Sequence, residues 1–375
     1  MSSFTYVLAL LFAAQCALAA ASGCGSSPIW SFDDTRHSNR TIGYRSFLVH
    51  LPDSYEPNTP APVVISYHGF KGTDKKQERI SGFSESGLKI NNTGIIAVYP
   101  LGAYGPGKTG NDSATAWQGA PYAAPGVDDI TFTKNIISEL QANLCVDPNR
   151  IFAAGKSEGG GFTHMLACNN STAPLFAAFA PVSAAVYPGL FPFEGCNPGR
   201  KVPIINFHGL ADKIAPFHGR PADTAKDGPE YALPNITAWR EAWATRNGCN
   251  STKPSGLKEL AVDDASNSAW DCTEQEPDAI VNTFTIKGLG HSWPTTAGLD
   301  GGAATFNATP TYIVPFFDAH PLTGAYAQNF SQNYSTGTPK GTGALAASGA
   351  ERTMWSSSGA VAASLCATLW HLSSM

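Results

Sequence analysis

The chain of 375 residues is predicted to be an α/β protein with a mostly parallel central sheet flanked by helices on both faces. Two observations carry this. Short continuous runs of β-branched and aliphatic residues alternate along the chain with segments whose apolar residues recur at helical spacing, as buried parallel strands and their covering helices do. The length suffices for one large domain of about 250 to 300 residues with a deep core, and no internal repeat of solenoid or propeller length is present.

Tyr6 to Ala21 is an apolar stretch rich in Leu and Ala that closes on Ala17-Leu18-Ala19, the small-x-small pattern of a cleavable secretion signal. Read as a membrane anchor it is too short to span a bilayer comfortably, and no stop-transfer charges follow it. The expected organisation is a signal peptide over 1–21, an α/β domain over 22–320 and a tail over 321–375. N-x-S/T sequons begin at Asn39, Asn91, Asn111, Asn169, Asn170, Asn235, Asn250, Asn307, Asn329 and Asn333, where this composition would give roughly three or four by chance. Once Cys16 leaves with the signal, Cys24, Cys145, Cys168, Cys196, Cys249 and Cys272 remain in the body as an even set suited to an oxidising compartment. Their pairing stays open, with Cys249–Cys272 favoured because the loop between them is easily bridged and a pair of free thiols as the alternative.

Tyr44 to Leu51 alternates enough for an edge strand. Pro62 to Tyr67 and Gly94 to Tyr99 are continuous apolar runs of central-strand type, ending at His68-Gly69 and at Pro100. Asp128 to Leu144 spaces Ile130, Phe132, Ile136, Ile137, Leu140 and Leu144 on one broad helical face, with Asp128 and Asp129 in the first turn, where the helix dipole favours them. Arg150 to Gly155 reads as a strand and Gly159 to Ala167 as a helix. Phe176 to Val182, Val202 to Phe207 and Val281 to Ile286 supply further strands, and Ile236 to Arg246 and Tyr312 to Ala319 further helices. From Pro321 onward Ser, Gly, Thr and Ala dominate without periodicity, as in a linker or a disordered tail. A second reading of its end takes Ser348-Gly349-Ala350 as a lipid-attachment site before the modestly apolar Gly359 to Leu372.

Gly155-Lys156-Ser157-Glu158-Gly159 is a G-x-S-x-G between a predicted strand and a predicted helix, the context of a nucleophile elbow in the α/β-hydrolase fold. The pattern by itself is weak in so Gly- and Ser-rich a chain; its location gives it weight. The turn is so tight that side chains two before and two after the serine would clash, which Gly155 and Gly159 avoid. Ser157 is then the candidate nucleophile, and its partners should follow in the order acid, then histidine. Asp212, just past a strand end in Ile204 to Asp212, is the candidate acid, with a turn-capping Asx residue as the bland alternative. His291, in the glycine-bearing loop Gly288 to Pro294, is the candidate base; His218, His320 and His371 are less well placed. The Phe70 N–H, in a His68-Gly69 loop, and the Glu158 N–H are the candidate oxyanion donors. Trp117, Gln118 and Trp293 are candidate substrate contacts, with packing under long loops as the alternative for the aromatics. His68 and His208 match no metal-ligand spacing, so neither metal nor organic cofactor is expected.

Together these motifs resemble the secreted fungal feruloyl esterases of carbohydrate esterase family 1, which shade into polyhydroxybutyrate depolymerase-like esterases. The resemblance spans roughly Val49 to Phe317. It rests on Tyr67-His68-Gly69-Phe70, the segments from Trp117 to Thr133, the run from Leu144, the elbow, His208 to Asp212, and Gly290-His291-Ser292-Trp293-Pro294. It implies a cofactor-free serine esterase acting on ferulate esters of plant cell-wall polysaccharide, with Ser157, Asp212 and His291 as triad. Lys156 and Glu158 depart from it by placing charge beside the nucleophile. Acetyl xylan and hydroxyalkanoate esterases share the site chemistry and remain alternatives, as does a glycan-binding protein on a retired hydrolase scaffold. The partner expected is a feruloylated polysaccharide or another small ester. With a formal net charge of −5 and no Lys/Arg-rich run, nucleic acid and anionic membrane are poor partners, and no obligate protein partner is evident.

Overall fold

A computed structural model describes residues 23–110, 113–190, 195–249, 257–259, 265–270 and 281–328. Its strands are β1 (His37–Ile42), β2 (Arg45–His50), β3 (Ala61–Tyr67), β4 (Lys89–Ile90), β5 (Thr93–Gly94), β6 (Ile96–Pro100), β7 (Ala103–Gly105), β8 (Ala114–Ala116), β9 (Val146–Lys156), β10 (Phe179–Val182), β11 (Ile204–Gly209), β12 (Leu257–Glu259), β13 (Ala265–Trp270) and β14 (Val281–Ile286). Its α-helices are α1 (Asp74–Ser81), α2 (Asp129–Asn143), α3 (Glu158–Cys168), α4 (Ile236–Arg246) and α5 (Val314–Ala319).

Ten strands form one sheet in the order β1-β2-β6-β3-β9-β10-β11-β14-β13-β12; β4–β5 and β7–β8 are separate two-stranded ribbons. From β6 to β14 the neighbours run parallel, and β2 and β13 join either side of that block antiparallel. Period-two alternation divides each apolar run between two core layers. Val63, Ile65 and Tyr67 of β3 and Ile151 and Ala153 of β9 enter one layer, with Phe132 and Leu140 of α2, Phe162 of α3 and Trp239 and Trp243 of α4. Val64, Phe152 and Ala154 enter the other, with Ile80 of α1 and Phe316 and Phe317 of α5. Helices therefore cover both faces, and the α/β-hydrolase architecture expected from the pattern of runs is the one found.

Strand register aligns the ends of the central strands. Tyr67 pairs with Gly155, Lys156 with Val182, Val182 with Phe207, and Gly209 with Ile286. The C-terminal ends of β3, β9, β10, β11 and β14 thus lie along one edge, where ligand sites of parallel sheets form.

Some expectations shift. The run at Tyr44 to Leu51 is not the edge: β1 pairs outside β2. β1 is half exposed and reads His-Ser-Asn-Arg-Thr-Ile, without apolar alternation to announce it. α1 escaped the sequence reading because it buries only Gln77, Ile80 and Ser81. Cys24 bonds to Cys145 and Cys168 to Cys196. Cys249 is also disulfide-bonded; Cys272 lies outside the described residues. The chain stays packed beyond His320, since Leu322 N donates to Asn149 O at 2.9 Å and Gln328 N to Asn149 Oδ1 at 2.6 Å. The signal segment and the lipid-attachment reading at Ser348 fall outside the described residues.

Candidate active site

β9 ends at Lys156, and α3 starts at Glu158. Between them Ser157 adopts φ 60° and ψ −121°, a conformation that a residue with a side chain holds only when its surroundings enforce it. The enforcement is visible. Ser157 N donates to Val182 O at 2.9 Å, and Ser157 O accepts from Gly161 N at 3.0 Å and from Ala185 N at 2.9 Å. A Cβ on Gly155 would stand 2.2 Å from the Gly159 carbonyl oxygen, and one on Gly159 2.2 Å from that of Tyr67.

His291 Nε2 lies 2.7 Å from Ser157 Oγ, and His291 Nδ1 lies 2.8 Å from Asp212 Oδ2. The other oxygen of Asp212 accepts from the backbone amides of Ile214 at 2.9 Å and Ala215 at 2.8 Å. One carboxylate therefore caps its own turn and holds the imidazole. Burial raises the Asp212 pKa, but the hydrogen bond and charge interaction with His291 outweigh it and hold the group below the usual value of 3.8. His208 Nε2, 3.5 Å from Asp212 Oδ2, donates to Ala215 O at 2.7 Å; burial pushes this imidazole down to about 4, so it stays neutral behind the acid. The close approach of the two loops is made by Gly209, whose Cβ would meet Leu289 O at 2.1 Å; nothing stands within 4 Å of a Cβ on Gly290.

The loop after β3 meets Ser157 from the other side: a Cβ on Gly69 would lie 3.0 Å from Ser157 Cβ and 3.5 Å from its Oγ. His68 is buried and held down to about 4 by burial. Its Nδ1 donates to Gly69 O at 2.7 Å and its Nε2 accepts from Gly102 N at 2.9 Å, a neutral imidazole bracing the turn. Phe70 follows in that turn. Glu158 opens α3, so its amide has no intrahelical acceptor. Its side chain is buried, with Oε1 accepting from Trp117 N at 2.5 Å and Oε2 left without a hydrogen bond. Burial drives that carboxyl up to about 8, against the opposing pull of Trp117 N–H and the nearby Tyr122 hydroxyl.

The three expected substrate contacts do not line the cavity at Ser157. Trp117 is fully buried, stacked on Phe162, and donates its indole N–H to His68 O at 2.7 Å. Gln118 turns its Oε1 to the first amides of α2, Asp129 at 2.6 Å and Ile130 at 3.0 Å. Trp293 is buried against Phe83 and donates to Thr309 Oγ1 at 3.1 Å. Large indoles near a site reach the core because that is where their area is best covered. Phe70, Tyr122, Tyr187, Lys156 and Asp300 line the cavity instead. Tyr187 and Asp300 carried no sequence signal, as each sits in an irregular loop. Among the described residues no group of His, Cys, Asp or Glu is arranged to hold a metal ion.

The fold is that of an α/β-hydrolase, and Ser157, His291 and Asp212 meet at the C-terminal edge of its sheet. No family model matches the chain. Feruloyl esterase B of Piromyces equi is 32% identical over 205 residues, covering 55% of this chain; the chain spans only 36% of that relative's length. Feruloyl esterase D of Neurospora crassa is 30% identical over 218 residues, covering 57% of this chain and 70% of that one. An acetyl xylan esterase structure from Aspergillus awamori superposes with a TM-score of 0.47 at 15% identity, over 70% of this chain and 97% of that one. The chain belongs to the feruloyl esterase family of carboxylic ester hydrolases.

Proposed function

We propose that this protein is a secreted serine esterase that releases ferulate and related hydroxycinnamates from plant cell-wall polysaccharide through an acyl-enzyme, with Ser157 as nucleophile, His291 as base and Asp212 as acid. The observation that carries the reading is the unbroken chain Ser157 Oγ, His291 Nε2, His291 Nδ1, Asp212 Oδ2, with links of 2.7 and 2.8 Å. Ser157 attacks the ester carbonyl as His291 takes its proton. Asp212 orients the imidazole and favours its charged form. The amides of Phe70 and Glu158 receive the oxyanion, each donor being worth about 10²–10³ in rate. His291 returns the proton to the departing alcohol, and water then repeats the sequence on the acyl-enzyme.

The family supports an ester substrate, and the aromatic wall of Phe70, Tyr122 and Tyr187 beside Ser157 suits a hydroxycinnamoyl ring. Secretion is supported by the bonded cysteines and by exposed sequon asparagines at Asn39, Asn91, Asn170 and Asn307. The test is ferulate release from methyl ferulate and feruloylated arabinoxylan, beside Ser157→Ala. Release lost in the variant is the expected result. Turnover of acetyl or butyryl esters alone would move the substrate to the short-chain alternatives, and no Ser157-dependent turnover of any ester would overturn the enzyme reading.

A further inference from the structure

Two chemistries line the cavity that holds Ser157 and His291. One is aromatic: the Phe70 and Tyr122 rings lie 4.2 Å apart and the Tyr122 and Tyr187 rings 5.8 Å apart, centroid to centroid. The other is a charged pair. Lys156 Nζ lies 2.8 Å from Asp300 Oδ2, with the two side chains only 11% and 8% exposed.

That pair is poorly explained by stability. An ion pair shielded from water returns about what its desolvation costs, and apolar residues of equal volume commonly do as well. Its hydrogen-bonding capacity is also unspent: Asp300 Oδ2 receives no well-directed hydrogen bond despite its ionic contact, and an ammonium has three N–H groups to give. The halves come from the two segments that carry the chemistry. Lys156 immediately precedes Ser157, and Asp300 sits beyond His291 in a loop secured by Ser292 Oγ donating to Asp300 O at 2.8 Å.

We propose that Lys156 and Asp300 form a subsite for the hydroxyl groups of the alcohol half of the ester, so that the enzyme selects esters of sugars over esters of simple alcohols. The inference rests on the esterase reading of Ser157 and names the alcohols that site takes. A hydroxyl is donor and acceptor at once, so neighbouring sugar hydroxyls can give a proton to the carboxylate and take one from the ammonium. A methyl or ethyl group can do neither. The aromatic wall is left for the acyl half.

The test uses the full secreted chain and two pairs of esters matched in acyl group: a feruloylated methyl arabinofuranoside against methyl ferulate, and an acetylated methyl xyloside against ethyl acetate. The wild type should prefer the sugar ester in the pair whose acyl group it turns over. In Lys156→Met/Asp300→Leu, and in the milder Asp300→Asn, that preference in kcat/KM should fall about tenfold or more, chiefly through KM, as loss of one charge-assisted hydrogen bond predicts. Stoichiometric labelling of Ser157 by a fluorophosphonate identifies the folded fraction to which rates are referred. Equal losses on both members of a pair would mean that Lys156 and Asp300 only position the loops, and would overturn the proposal; so would a wild type with no sugar preference. Turnover of the acetyl pair alone would refute the ferulate reading while still deciding this one.

Discussion

Trp117 N donates to Glu158 Oε1, so the residue directly after Ser157 is tied through its buried side chain to the loop that precedes α2. That loop is anchored in turn: Asp129 takes Gln118 N at 2.6 Å and meets Arg45 of β2 at 2.7 Å. The Glu158 side chain that looked foreign to the elbow is thus a buried brace, held largely uncharged below about pH 8.

Glu158 is raised from 4.5 to about 8 by burial, whereas His68 and His208 are lowered from 6.5 to about 4 by burial. Between about pH 4.5 and 6.5 the unfolded chain holds extra protons on two imidazoles and the folded chain an extra one on Glu158, so the net contribution of these groups stabilises the fold as pH rises. From 6.5 to about 8 only Glu158 still differs, and stability falls. Urea unfolding should show this contribution greatest near pH 6.5. Glu158→Gln should remove most of the alkaline decline, about 1.4 kcal/mol per pH unit around pH 7; a variant whose slope matches the wild type would contradict it.

Ser157→Ala and His291→Ala should each lower kcat for the best ester by roughly 10⁴ or more without additive loss in the double variant, because they act as one unit. Asp212→Asn should also lower kcat and weaken the turn at Ile214 and Ala215, so its melting temperature should drop as well. Steady-state kinetics with thermal melts separate the two effects.

Gly69→Ala should lower kcat/KM by about tenfold or more while leaving the fold largely intact, since its methyl would lie 3.0–3.5 Å from Ser157 Cβ and Oγ. Gly159→Ala, whose methyl would strike the Tyr67 carbonyl at 2.2 Å, should fail to fold or lose the elbow altogether. Equal melting temperatures for the two variants would count against this account.

Arg240 is fully buried on α4 and donates to Asn206 Oδ1 at 2.8 Å, Thr285 Oγ1 at 2.7 Å and Phe284 O at 2.9 Å. It links that helix to β11 and β14, the strands that lead to Asp212 and His291. Arg240→Met should cost about 2–4 kcal/mol by stranding two buried acceptors and one half-buried one, read as a lowered midpoint in denaturant.

What the chain alone determined was local and periodic. The run at Pro62 to Tyr67 announces a strand because burial on both faces leaves it almost wholly apolar, and Val281 to Ile286 because its apolar residues are buried while Asn282 and Thr285 take the half-exposed positions. Ser157, Asp212 and His291, which the fold brings within hydrogen-bond reach of one another, could be picked out from glycine punctuation and from chain order. The tertiary structure decided everything that depends on residues distant in sequence. It placed Trp117 and Trp293 in the core and Gln118 on a helix cap, and it made a turn cap and a histidine partner of one carboxylate. It also brought Asp300 to Lys156 and Tyr187 to Tyr122. Local composition says which residues can be buried or can react, but the direction in which a loop side chain points is set by what the rest of the fold packs against it.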